Sequence, residues 1–172
     1  MFKLLKKVPI PAAVAFMVVC LLLGVAKGNQ NALDAALADA EAYLPEIQEL
    51  IGDRVQSAAN LLVLCDRYAA DEPWTEALTT VRDSLVYAQK PSDIIRANDQ
   101  LTFTAQAASE ALTPLVTEQD MRLLTGVMDT LASDQGILER VIGAYNEALQ
   151  EAEAVYAVLP TRMLLSMPEA FQ

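Results

Sequence analysis

The strongest helical signal lies in residues 117–159, TEQDMRLLTGVMDTLASDQGILERVIGAYNEALQEAEAVYAVL. Apolar residues recur there at alternating spacings of three and four, which places them on one face of a helix as a heptad seam. The seam positions are Met121, Leu124, Met128, Leu131, Gln135, Leu138, Ile142, Tyr145, Leu149, Ala152, Tyr156 and Leu159. Thr117 and Asp120 form a box-like start, three residues apart. We therefore predict one continuous helix over residues 117–159.

Gln135 is the one strongly polar member of this seam. A single polar residue in a heptad seam can set the register of neighbouring helices at a cost in stability. A frayed or partly hydrated point near Gly136 is the alternative interpretation. The sequence does not choose between the two.

Proline residues divide the chain before this helix. Apolar residues at spacings of three and four predict a helical stretch over residues 31–70, which Pro45 should kink or split near Leu44. A second helix is expected to begin near Pro73 and to stop at Lys90-Pro91.

A third helix should then begin with Ser92 as its N-cap and end at Pro114. Two long and two short helices predict an all-α fold, an up-and-down four-helix bundle over residues 27–172.

The N-terminal region contains 17 uncharged residues, IPAAVAFMVVCLLLGVA, at positions 10–26. As a helix this segment would be about 26 Å long, just enough to span a hydrocarbon core. We predict an uncleaved transmembrane signal anchor that continues outward as a stalk. A signal peptide cleaved before Lys27 is the alternative. Cys20 does not indicate a lipoprotein, because Val19 is too large for the residue before a lipidated cysteine.

Positive charge predicts the orientation of this anchor. Lys3, Lys6 and Lys7 precede the apolar segment, whereas only Lys27 lies close after it. By the positive-inside rule, residues 1–9 should form a cytoplasmic basic stub and the bundle should lie outside the cytoplasm.

The body of the protein is strongly acidic. From residue 28 onward it has eight basic and 23 acidic residues, a net charge of −15. Such a surface repels nucleic acid and anionic lipid and favours a basic partner, or simply keeps the protein soluble. We therefore expect a protein partner and no nucleic acid.

The sequence contains no histidine, which excludes Ser-His-Asp catalysis and imidazole metal sites. Carboxylate pairs at helical spacing, Glu46 with Glu49 and Glu147 with Glu151, are interpreted as solvated helix faces. No phosphate-binding glycine loop or calcium loop is present. We expect no catalytic residue, no metal and no cofactor. Cys65 is interpreted as a small buried hydrophobic residue.

Four polar residues are candidates for a structural clasp. Tyr145 lies on the seam, so its hydroxyl needs a partner if it is buried. Asn146 is adjacent, and Asn60 and Asn98 are candidate partners on other helices. A ligand pocket at these residues is the alternative.

Several short motifs resemble the LemA family of small bacterial membrane-anchored helical proteins. They are Asn60-Leu61-Leu62-Val63, Tyr68-Ala69-Ala70 with Glu72, Glu76-Ala77, Val81-Arg82, Asn98 with Leu101, and Tyr145-Asn146-Glu147-Ala148 with Pro160 and Phe171. Ala59 and Ile142 stand where the family usually has proline and arginine, so the chain resembles a divergent member. The resemblance implies a bromodomain-like four-helix arrangement, location in the bacterial inner membrane and no established catalytic activity.

These observations favour a membrane-anchored, non-catalytic interaction or scaffold module at the bacterial envelope. A carboxylate-based hydrolase and an extracytoplasmic ligand-sensing bundle are the alternatives.

Overall fold

A computed structural model describes residues 10–157 and 167–171. These residues form five α-helices and no strand: α1 (Ile10–Glu41), α2 (Leu44–Ala69), α3 (Pro73–Tyr87), α4 (Pro91–Leu112) and α5 (Glu118–Tyr156). The predicted all-α class is confirmed, and α2, α3, α4 and the part of α5 up to Glu147 form a helical bundle.

Pro45 and Pro73 stand in the first turns of helices, which agrees with the split predicted at Pro45 and the start predicted at Pro73. Pro45 occupies the first turn of α2, so the predicted long stretch is split there into α1 and α2. Pro73 opens α3. Proline suits these positions because its missing N–H is one of the unsatisfied donors of the first turn.

The prediction of Ser92 as an N-cap is wrong. The cap of α4 is Lys90, whose backbone is extended with ψ of 143°, and Pro91 is already helical. The residue before a proline is pushed toward the extended region, and the fixed φ of proline suits the first helical position. Ser92 therefore lies inside the first turn.

The helix α1 passes without a break from Ile10 to Glu41. Residues 1–9 lie outside the described part of the chain, as do the side chains of 10–16, 18, 19, 22, 23 and 26. The predicted anchor at residues 10–26 therefore falls largely on side chains that the structure does not describe. Within the residues that are described, no helix combines the length and hydropathy needed to cross a membrane.

The chain divides into two compact units. Among the described residues, the first contains residues 10–39, 148–157 and Met167. Its buried apolar side chains, among those described, are Leu33 of α1 and Leu149 and Ala152 of α5.

The second unit contains residues from Ala40 to Glu147 and the C-terminal segment from Pro168. Its core is a continuous cluster contributed by α2, α3, α4 and α5, with Leu61, Leu78, Leu101 and Leu124 almost fully buried. The connections between these four helices are short. Such connections favour packing between consecutive helices, and α3 packs against α2 and α4.

Most of the predicted seam of α5 is buried, including Leu124, Leu131, Leu138, Tyr145 and Leu149. The other described positions of the seam that are not fully buried are Met121, Met128, Gln135 and Tyr156, which are partly buried, and Leu159 lies outside the described residues. The start of α5 also agrees with the sequence, because the backbone N–H of Asp120 donates to Oγ1 of Thr117 at 3.2 Å. The helix continues through Gly136 to Tyr156.

Candidate functional site

An arginine lies in the core of the second unit. In α2 the buried residues Ile47, Leu50, Arg54, Ala58 and Leu61 follow one another at spacings of three and four. Arg54 therefore lies on the core face, and its exposed fraction is 0%. Burying a charge is unfavourable unless hydrogen bonds replace its hydration.

Three acceptors from two other helices surround the Arg54 guanidinium. Its Nε donates to Oδ1 of Asn98 at 2.5 Å, and its Nη2 donates to Oγ1 of Thr102 at 2.6 Å, both on α4. Its Nη1 donates to the backbone carbonyl of Leu131 on α5 at 2.6 Å. One side chain of α2 thus fixes the positions of α4 and α5, and all three acceptors are uncharged.

The network continues from Arg54 toward the surface. Asn98 donates through Nδ2 to Oε1 of Gln135 at 2.9 Å, and Gln135 donates through Nε2 to Oε1 of Glu139 at 2.7 Å. Gln135 is half-buried and joins α5 to α4. This geometry favours the register-setting interpretation of the polar seam position over a frayed point.

Three carboxylates contribute negative charge near Arg54. Burial lowers the pKa of Arg54, and the negative charges of Asp134, Asp99 and Glu139 act against that shift. The guanidinium remains a cation, because arginine does not lose its proton in proteins.

Asp134 lies on α5 near this cation. Burial, followed by the charge of Asp53, raises the pKa of Asp134, whereas Arg54 lowers it. Its Oδ2 atom is buried without a hydrogen-bond partner in the described residues.

A second polar cluster holds the C-terminal segment. Asn146 donates through Nδ2 to the carbonyl of Phe171 at 2.6 Å and accepts from the Phe171 N–H at 3.0 Å. The Tyr145 hydroxyl donates to the carbonyl of Glu169 at 3.3 Å, and its ring meets that of Phe171 edge to face with centroids 5.2 Å apart. Burial and the charge of Glu41 raise the pKa of Tyr145. We call Tyr145, Asn146 and Phe171 the C-terminal clasp.

The four predicted clasp residues thus occupy three different places. Tyr145 and Asn146 hold the C-terminal segment, whereas Asn98 belongs to the Arg54 network. Asn60 is exposed and accepts from Gln56 within α2 at 3.2 Å. The hydrogen bonds found for Tyr145 and Asn146 therefore go to the tail rather than to Asn60 or Asn98.

Sequence reasoning missed Arg54, although a signal for it exists. Between Ile47 and Ala58, the predicted apolar face of α2 passes through Ile51 and Val55, both of which are only partly buried. The observed core face passes instead through Leu50 and position 54. A charged residue at a position that the heptad assigns to the core is the signal that identifies the network.

The start of α5 is held by a third cluster. Oδ2 of Asp120 accepts from Nη1 of Arg67 at 2.7 Å and from the Tyr68 hydroxyl at 2.5 Å. Both donors lie in the last turns of α2. The Tyr68 hydroxyl, followed by Arg67, lowers the pKa of the Asp120 carboxyl. This cluster stabilises the ionised carboxylate and joins the end of α2 to the start of α5.

An open groove of about 780 Å³ lies between α3 and α4. Ala77 and Val81 of α3 and Phe103 of α4 supply apolar surface, and Glu76 and Asp99 supply its two charges. The Phe103 side chain is 78% exposed. We call this surface the α3–α4 groove.

The carboxylates noted in the sequence lie on the surface. Glu46, Glu49, Glu147 and Glu151 are all exposed. In the part of the chain that the structure describes, no three cysteine or acidic side chains come together in a way that could hold a metal ion.

Cys65 is fully buried, as predicted. Burial raises the pKa of its thiol to about 11.

Comparison with known proteins adds no family. The sequence matches no protein-family model and none of the curated proteins.

Proposed function

We propose that this protein is a membrane-anchored interaction or scaffold module of the LemA type, without catalytic activity. Residues 10–26 would anchor it in the bacterial inner membrane, and three lysines before the segment favour a cytoplasmic N-terminus. In this proposal α1, which runs without a break from Ile10 to Glu41, continues the anchor outward as a stalk. The short connections that join α2 to α3, α3 to α4 and α4 to α5 support the up-and-down, bromodomain-like arrangement.

One observation carries the interaction role. Buried polar side chains form hydrogen bonds between helices of the bundle, whereas two aromatic side chains are exposed on its surface. Arg54 and Asn98 are buried and bonded to each other, while Tyr87 and Phe103 are each 78% exposed. Large exposed aromatic residues are favoured at protein interfaces. The bundle thus resembles a rigid support for a binding surface.

The anchor is tested by extraction of membranes with alkaline carbonate. We expect the full-length chain to stay in the membrane pellet, because an apolar helix is not released by the loss of electrostatic contacts. A reporter that is active only in the cytoplasm, fused after Gln172, should give no signal. Release of the intact chain, or a signal from that reporter, would contradict the anchor or its orientation.

The interaction role is tested by site-specific photocrosslinking in intact cells. A photoreactive residue at Phe103 should give a discrete crosslinked product that is absent when the same residue replaces the exposed Asp129 of α5.

Substitution of Glu147 and Glu151 by Gln tests the hydrolase alternative. Those substitutions should leave both stability and phenotype near wild type, because the two carboxylates are exposed. A folded but wholly inactive variant would support the hydrolase instead.

A further inference from the structure

The α3–α4 groove is open and long enough to contact two turns of a helix. It lies between two packed helices, and its lining on α3 extends from Pro73 to Val81, which is about 12 Å or two helical turns. Amphipathic helices bind in grooves of this kind by laying their apolar face against exposed apolar residues.

The apolar part of the groove offers one anchoring residue. Phe103 is 78% exposed, and the small side chain of Ala77 lines the groove on the facing helix. Val81 packs against the core, so it gives the groove a fixed apolar wall. An apolar side chain placed beside Phe103 would bury an aromatic ring, and buried aromatic residues contribute most of the affinity in many interfaces.

The charges of the groove specify the polar face of its ligand. Glu76 and Asp99 are its two charged lining residues, one on each helix. Neither takes part in the ion pairs found among the described residues. The body around them carries a net charge of −15 from residue 28 onward. A second copy, nucleic acid or an anionic lipid surface would therefore be repelled.

We propose that the α3–α4 groove binds a basic amphipathic helix of a partner protein, whose apolar face covers Phe103 and whose lysine or arginine side chains pair with Glu76 and Asp99. This proposal rests on the proposed interaction role and names its surface and the chemistry of its partner.

The test uses the full-length chain in nanodiscs of zwitterionic lipid. The probe is a labelled helical peptide of about 14 residues with a leucine face and a lysine face, long enough for the two turns of the groove. Binding is measured by fluorescence anisotropy at low and moderate salt. A counterpart with glutamate in place of lysine should not bind, and affinity for the basic peptide should fall as salt screens the charges.

Two matched pairs of variants locate the site. Phe103→Ser should raise the Kd about tenfold, whereas Tyr87→Ser, at an equally exposed residue outside the groove, should change it by less than about twofold. Glu76→Gln with Asp99→Asn should raise the Kd and flatten its dependence on salt. Asp129→Asn with Glu147→Gln removes the same charge from exposed sites on α5 and should leave the Kd within about twofold of wild type.

Several outcomes would overturn the proposal. The first is that the basic peptide does not bind, and the second is that Phe103→Ser binds it as tightly as wild type does. The third is that the acidic peptide binds as tightly as the basic one. The fourth is that the chain binds anionic vesicles instead of the peptide, in a way that depends on Phe103. The proposed function can fail separately. Release of the chain by carbonate would contradict the anchor but not the groove proposal. A partner crosslinked at a different surface would contradict the groove proposal but not the interaction role.

Discussion

The Nε atom of Arg54 and the Oδ1 atom of Asn98 lie 2.5 Å apart in the core, joining α2 to α4. Both side chains are buried, but only Arg54 carries a charge. Loss of either residue breaks the same hydrogen bond. Loss of Asn98 also leaves the cation without one of its three acceptors, whereas loss of Arg54 removes the charge itself. The two substitutions therefore have unequal costs.

We expect Asn98→Leu to lower the free energy of unfolding by about 2–4 kcal/mol, because a buried charge is left partly unpaired. Arg54→Met keeps only the aliphatic part of the side chain and removes the charge, but it leaves acceptors such as Oδ1 of Asn98 without this donor. Its cost should be about 1–2 kcal/mol, because no buried charge remains. Asn60→Leu, at an exposed position of α2, should change stability by less than about 0.5 kcal/mol. Urea unfolding of the three variants measures these values. A larger cost for Arg54→Met than for Asn98→Leu would show that Arg54 is not a buried cation.

The carboxyl of Asp120 should make stability depend on pH. Hydrogen bonds from Tyr68 and Arg67 lower its pKa in the folded state. A carboxyl with a lowered folded pKa adds stability above its unfolded pKa of about 3.9, and this contribution is lost as the pH falls through the folded value. Wild type should therefore melt at a higher temperature than Asp120→Asn at pH 7. The difference should shrink below about pH 4.

Thermal melts of the two proteins from pH 7 to pH 2.5 measure this difference. Tyr68→Phe removes one of the two donors to Asp120. At pH 7 it should melt below wild type, by less than Asp120→Asn does. A gap between wild type and Asp120→Asn that grows toward acid would have the wrong sign for a carboxylate stabilised in the folded state.

The C-terminal clasp should act as one unit. Asn146→Ala removes two hydrogen bonds to Phe171 and should cost about 1–3 kcal/mol. Phe171→Ala should cost about 1.5–3 kcal/mol through lost burial of the ring. Tyr145→Phe removes only the bond to Glu169 and should cost about 0.5–1.5 kcal/mol.

Hydrogen exchange of the Phe171 amide tests the clasp directly, since that N–H donates to Asn146. Its protection should be lost in Asn146→Ala and retained in Tyr145→Phe. The double variant Asn146→Ala with Phe171→Ala should cost less than the sum of the single variants, because each change releases the same segment. Additive costs would mean that the two residues act independently.

The helix boundaries could be predicted because their determinants are local. Proline has a fixed φ and lacks a donor, so Pro45, Pro73 and Pro91 mark helix starts wherever the rest of the chain packs. The seam of α5 could be predicted for a similar reason, since its positions from Met121 to Tyr156 repeat within one helix. Ser92 favours an N-cap position, but Pro91 restricts Lys90 to the extended region, so Lys90 is the cap and the prediction for Ser92 is wrong.

The polar contacts could not be predicted because their partners lie far apart in sequence. Arg54 meets Asn98 44 residues later and the Leu131 carbonyl 77 residues later. The clasp joins Asn146 to Phe171, 25 residues away. Composition and periodicity identify a face of a helix, but they do not determine which helices face one another. The heptad pattern places Tyr145 on the core face, where its side chain is buried, but the partner of its hydroxyl, the carbonyl of Glu169, could not be predicted.

The helix α5 offers a test of packing against helix propensity. A proline at Leu138, which is 1% exposed, should destabilise the protein by about 3 kcal/mol or more. Gly136→Ala should stabilise it by about 0.5–1 kcal/mol, because Gly136 is exposed in the helix interior and an added Cβ would meet nothing within 4 Å. Glu151→Gln, on the exposed face, should have little effect. Chemical unfolding ranks the three variants, and destabilisation by Gly136→Ala would indicate that α5 is not regular at that point.

Cys65 should be unreactive in the folded protein. Its side chain is fully buried, and burial raises the pKa of its thiol to about 11, so thiolate is scarce at pH 8. With Cys20 replaced by Ser, a thiol-specific alkylating reagent at pH 8 should leave the native chain unmodified. The same reagent should modify Cys65 fully in urea, where the pKa returns toward about 8.5. Labelling should therefore follow global unfolding, and Asn98→Leu should accelerate it while Asn60→Leu should not. Rapid labelling of the native chain, at a rate unaffected by Asn98→Leu, would mean that the end of α2 opens locally without unfolding of the core.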